Sequence, residues 1–86
     1  MPIISTFFGI LIRIYFADHQ PPHLHAAYAE FEAVIDIDTL AVLRGTLPGR
    51  ALALVLEWMR LHQDDLREDW RLAQNGQPLR QIEPLR

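Results

Sequence analysis

The chain has 86 residues, of which 50% are hydrophobic and 22% charged, the balance of one folded domain and too apolar for a disordered segment. Its 8 basic residues, all arginine, stand against 11 acidic ones for a net charge of −3, which argues against a direct, high-affinity nucleic-acid partner. It has no cysteine, so disulfides, thiolate metal sites and cysteine nucleophiles are excluded and a cytoplasmic location is expected.

The apolar opening from Ile3 to Phe16 lacks a basic start and is interrupted by Ser5, Thr6 and Arg13. It is shorter than the roughly 20 residues of a membrane helix, so neither a signal peptide nor a membrane span is expected. Within it, Ile10, Ile12, Ile14 and Phe16 share one parity and Leu11, Arg13 and Tyr15 the other, which predicts a half-buried strand over Ile10 to Phe16. Asp18, His19, Gln20, Pro21 and Pro22 form a connection, because proline fixes its own φ and holds the preceding residue extended.

Two alternating runs between His23 and Asp38 flank Ala29 and Glu30 as a hairpin loop. With Tyr28 facing Phe31, Ala26 faces Ala33 and Leu24 faces Ile35, so the apolar pairs fall on one face. The other face pairs Ala27 with Glu32, His25 with Val34 and His23 with Asp36, and the first strand adds Arg13 and Tyr15 to it. A further short strand within Thr39 to Arg44 is weaker. Gly45 to Gly49 reads as a turn into a helix, with Thr46 as its cap and Pro48 in its first turn. Ala51, Leu54, Val55, Trp58 and Leu61 make a helical stripe, continued by Leu66, Trp70 and Ala73, with both tryptophans expected in the core. A bend near His62 to Asp64 divides this pattern, a single long helix being the alternative, and Asn75-Gly76 before Pro78 ends it. The tail from Leu79 to Arg86 is an edge element at most, given Pro84. The expected fold is a single α+β domain: an antiparallel sheet of three to four strands with one or two helices packed on one face.

Three of the four histidines, His19, His23 and His25, lie within seven positions, and the His23-Leu24-His25 spacing sets two imidazoles on one face of a strand. Imidazoles so placed can hold a divalent transition metal such as zinc, with His19 and a carboxylate such as Asp36 or Asp18 as further candidate ligands. Asp36 or Asp18 can equally orient a ring by accepting its second N–H. A second reading makes His23 and His25, with Arg13 and Tyr15, an acid-base cluster in which arginine steadies an oxyanion, as in a metal-free nuclease. The bland reading leaves them as hydrogen-bonded polar residues on an open sheet face. Asp64 with Arg67 and Glu68 with Arg71 read as a solvated helix face, or as a helix that docks a partner.

Several of these residues carry a resemblance. The Phe-Phe-Gly-Ile opening, Ile-Arg-Ile-Tyr-Phe, Asp18-His19 before Pro21-Pro22-His23-Leu24-His25-Ala26, then Gly45-x-Leu47-Pro48 and Glu57-Trp58 resemble the bacterial domain-of-unknown-function family 4160. The common form of that family has phenylalanine where this chain has Leu24, an apolar exchange that leaves both imidazoles on one face. The resemblance implies no established activity. It implies a short prokaryotic protein, often encoded beside another small protein in pairs that resemble toxin-antitoxin modules. The expected function is therefore a protein-binding component of such a pair, with a small co-encoded protein or a second copy as partner. A His-dependent hydrolase or nuclease, metal-assisted or not, and a metal-binding protein are the alternatives.

Overall fold

In the computed structural model, which describes residues 2–86, five strands form one sheet in the order β1-β2-β3-β4-β5, each antiparallel to the next. They are β1 (Ile3–Phe7), β2 (Ile10–Arg13), β3 (His23–Tyr28), β4 (Phe31–Asp36) and β5 (Val42–Thr46), followed by α1 (Gly49–Leu61) and α2 (Gln63–Gln74). The α+β class and the antiparallel sheet agree with the sequence pattern, but the sheet has five strands rather than three to four. The extra one is β1, whose Ile3 to Phe7 run merges in sequence with the next apolar stretch. Phe8 and Gly9 separate the two, both at positive φ, which makes the tight primed turn that suits a hairpin. The second strand is shorter than expected, ending at Arg13, although Ile14 stays fully buried and its N–H reaches the Pro2 carbonyl.

The central hairpin keeps the expected register: Tyr28 opposite Phe31, Ala26 opposite Ala33, Leu24 opposite Ile35, and on the other face His25 opposite Val34 and His23 opposite Asp36. Its two-residue loop is Ala29-Glu30, with Ala29 in the left-handed region at φ 52°. Strand β5 bulges against β4 between Val34 and Ile35. Next to that bulge Gly45 sits at φ +76° with its α-carbon pressed to β4, so that an added Cβ would lie 2.1 Å from the Glu32 carbonyl oxygen.

The helices cover one face. Trp58, Val55 and Met59 of α1 and Leu66 and Ala73 of α2 are fully buried against Ile4, Ile10, Ile12, Leu24 and Ile35 of the sheet, and Trp70 and Phe7 join the same core. Leu61, expected on this stripe, is instead 67% exposed, because the chain turns out of α1 at the next residue and Met59 fills the core position. The bend expected near His62 to Asp64 is present and gives two helices: His62, at φ −127°, is at once the C-cap of α1 and the N-cap of α2. Asp64 and Asp65 occupy the first turn of α2, where the helix dipole favours negative charge. Thr46 does not cap α1. It is the last residue of β5, and Pro48 holds the N-cap position with no side-chain cap. The tail covers the free edge of β1 without forming a strand: the Ile82 N–H donates to the Ile4 carbonyl at 2.8 Å, and the Ser5 hydroxyl donates to the Ile82 carbonyl at 3.0 Å. No helix among the described residues is long and apolar enough to cross a membrane.

Candidate metal centre

The face of the sheet opposite the helices carries Arg13, His23, His25, Glu32, Val34 and Asp36, as strand alternation requires. The connection between β2 and β3 folds back over the end of this face. It is fixed to α2 at two points, where the Ala17 N–H donates to the Ala73 carbonyl at 3.2 Å and the Gln74 side-chain amide donates to the Asp18 carbonyl at 3.0 Å. So anchored, Asp18 is delivered to the two histidines.

One ligand atom each from Asp18, His23 and His25 lies within 4.8 Å of the others. The Oδ2 atom of Asp18 is 2.9 Å from His23 Nε2 and 3.6 Å from His25 Nε2. Each imidazole is oriented from behind: His23 Nδ1 donates to the Pro21 carbonyl at 2.7 Å, and His25 Nδ1 donates to the Glu32 carboxylate at 3.2 Å. With Nδ1 of both rings carrying the proton, both Nε2 lone pairs turn toward Asp18. His25 Nε2 is buried and has no hydrogen-bond partner among the described residues. Aromatic contacts fix the ring planes, with Tyr15 edge-on to His25 at 4.5 Å between centroids and Trp70 of α2 against His23 at 5.1 Å. Burial pushes the Asp18 carboxyl up, yet the hydrogen bond from the His19 N–H and the close contact with His23 hold it below its ordinary value.

His23 and His25 thus come together as their spacing predicts, and Arg13 and Tyr15 flank them. Asp36 and His19 stand apart from the cluster. Asp36 is paired with His23 in the ladder, but its Oδ1 accepts the N–H groups of Asp38 at 2.8 Å and Thr39 at 2.9 Å, forming the turn that leads to β5. His19 is exposed, and its backbone N–H, not its ring, serves the site by donating to Asp18 Oδ1 at 2.8 Å. Sequence reasoning held Asp18 as an alternative to Asp36, placed Trp70 in the core alone and gave Glu32 no role at the histidines. Register alone places Glu32 on the histidine face. The approach of Asp18 depends on a loop anchored to α2, for which the sequence carries no local signal.

A protein-family model, described as Domain of unknown function (DUF4160), matches residues 9–71. The matched span holds Asp18, His23 and His25 together with Tyr15, Pro21, Glu32 and Trp70, and ends before the anchoring Ala73 and Gln74. Comparison with curated proteins and with solved structures gave no match.

Proposed function

The chain belongs to the DUF4160 family, whose description names no activity, and from the site itself we propose that it binds a divalent transition metal, zinc foremost, through Asp18, His23 and His25. One observation carries this reading: His23 has an acceptor at each ring nitrogen, the Pro21 carbonyl at Nδ1 and the Asp18 carboxylate at Nε2. A neutral imidazole has one N–H, so with that proton committed to Pro21 the Nε2 lone pair faces a carboxylate. Such an arrangement is stable only with a positive charge between the two groups. A proton can join one pair of atoms. A metal cation would also serve the buried Nε2 of His25, which has no hydrogen-bond partner among the described residues and is directed at the same carboxylate.

Two histidines and one carboxylate are a donor set for zinc or iron(II), and three protein ligands leave a position open. A metal there supplies Lewis acidity and lowers the pKa of a bound water, the chemistry of metal-assisted hydrolysis. The protein's own part is to hold the donors: Pro21 and Glu32 set the two ring tautomers, and Trp70 and Tyr15 keep the rings from rotating. Native mass spectrometry of tag-free protein with added zinc tests the reading. One tightly held zinc per chain, lost in His25→Ala, supports it, and binding that is absent or indifferent to His25 refutes it.

The partner-module reading draws on a different surface. All five residues of β5 are exposed, and Val42 and Leu43 on this sheet edge are 41% and 43% accessible. An unpaired edge strand is a template for a strand from another chain. A small co-encoded protein, as in toxin-antitoxin-like pairs, or a second copy would add there. Co-expression with the neighbouring gene product followed by size-exclusion chromatography tests this, a mixture that elutes as two separate species counting against it.

A further inference from the structure

The histidine face also carries two guanidiniums in line with the metal ligands. Arg13 is opposite His25, His25 opposite Val34, and Val34 opposite Arg44, so these side chains form one row across β2 to β5. The carboxylates of this face are all engaged: Asp18 with His19 and His23, Glu32 with His25, and Asp36 with Asp38 and Thr39. The guanidiniums are not. Neither Arg13 nor Arg44 has a salt-bridge partner among the described residues, and Arg13 Nε is buried with no hydrogen-bond acceptor. A buried donor without an acceptor is costly, and a guanidinium is shaped to receive an oxyanion in bidentate fashion.

Arg44 reaches the cluster through open space. A cleft of about 100 Å³ is lined by Asp18, His19, Pro21, His23 and Arg44, and a shallower depression on the other side of Arg44 is lined by His25 and Glu32. A space of that size admits a few waters or one small group and excludes a helix or strand. The three carboxylates Asp18, Glu32 and Asp36 outweigh the two guanidiniums of Arg13 and Arg44 by one charge, so a bound divalent cation would turn the face cationic on a chain whose net charge is −3.

The geometry points to a small tetrahedral oxyanion, inorganic phosphate or a phosphate monoester, as the ligand of this site, with Arg44 holding it in the cleft and Arg13 adding positive charge from the far end of the row. This rests on the metal reading above. Cationic groups on several sides suit an anion with oxygens pointing in several directions better than a planar carboxylate.

Tag-free protein loaded with cobalt(II) separates the two claims, because the visible absorption of cobalt reports metal occupancy and its change on adding an anion reports the ligand. Inorganic phosphate and phenyl phosphate are titrated in turn, with acetate as the carboxylate control. The expected result is a saturable spectral change with phosphate that acetate does not reproduce at equal concentration. Arg44→Gln should weaken phosphate at least about tenfold while leaving cobalt affinity unchanged, and since Arg44 is exposed this variant keeps the fold. A stronger response to phenyl phosphate identifies an ester as the ligand, and a stronger response to inorganic phosphate identifies the free anion. Cobalt binding without a phosphate response overturns the inference and leaves the metal reading standing, as does a phosphate response equal in the wild type, Arg44→Gln and Arg13→Gln. Absence of cobalt binding overturns the metal reading. In that case calorimetry on the metal-free protein decides the arginine row: phosphate binding sensitive to Arg44→Gln supports it, and no binding overturns it.

Discussion

The Nε2 atom of His23 lies 2.9 Å from the Oδ2 atom of Asp18 while the opposite nitrogen of the same ring donates to the Pro21 carbonyl. A main-chain acceptor on one side and a carboxylate on the other fix the orientation of the ring. Strand β3 provides the histidines, and the loop tied to α2 provides the carboxylate, so the site exists only once the helices have packed. Its assembly is therefore coupled to the fold in a way that a metal motif contained within a single loop is not.

Glu32 is the support of His25 and touches no other part of the cluster. Glu32→Ala should lower zinc affinity by about 10- to 100-fold, the usual effect of losing an outer carboxylate, and change unfolding free energy by less than about 0.5 kcal/mol because its side chain is half exposed. Competition with a zinc chelator and urea denaturation measure the two quantities separately.

Much of this arrangement is legible in the sequence, and the remainder fails for identifiable reasons. The register of the β3-β4 hairpin follows from parity, so His23 and His25 on the face opposite Leu24 and Ala26 are readable without coordinates. Strand β1 is obscured because the Phe8-Gly9 turn sits inside an apolar run. Asp36 pairs with His23 in the ladder, yet an Asp two and three residues before free N–H groups is also a turn former, and the turn claims its carboxylate. Asp18 reaches the histidines through contacts with Ala73 and Gln74, more than fifty positions away in the chain. Local pattern cannot encode that distance.

Gly45 is required where β5 crosses β4. Gly45→Ala should destabilise the fold by more than about 1 kcal/mol, since the new Cβ would meet the Glu32 carbonyl and the residue would keep a positive φ. Because Arg44 and Glu32 flank the same crossing, zinc and phosphate binding should weaken along with the midpoint of thermal unfolding. Gly76→Ala is the control: that residue also has positive φ but nothing lies within 4 Å of its added Cβ, so it should cost less.

Asp69 of α2 is fully buried, with one carboxylate oxygen accepting the Arg80 N–H at 2.8 Å and the other unpartnered. Burial pushes its carboxyl above the ordinary value of 3.8, opposed by the Arg80 N–H and charge and reinforced by the neighbouring charges of Asp65 and Glu68. Between 3.8 and the raised folded value the native state holds a proton that the unfolded chain has lost, so stability falls as pH rises through this window and levels off above it. Asp69→Asn cannot ionise and should show a shallower decline. Thermal unfolding of both proteins across the acid-to-neutral range reads the difference directly, and parallel curves would contradict this assignment.

In the proposed site His23 and His25 present Nε2 to a shared metal ion while His19 and His62 do not. Histidine-nitrogen NMR on the tag-free protein, before and after one equivalent of zinc, tests it residue by residue. The expected result is that Nδ1 carries the proton in both His23 and His25, that their Nε2 signals alone move to the metal-bound position, and that Asp18→Asn weakens the effect. Zinc-induced shifts at His19 or His62 with none at His23 and His25, or no shift at any ring, would contradict it.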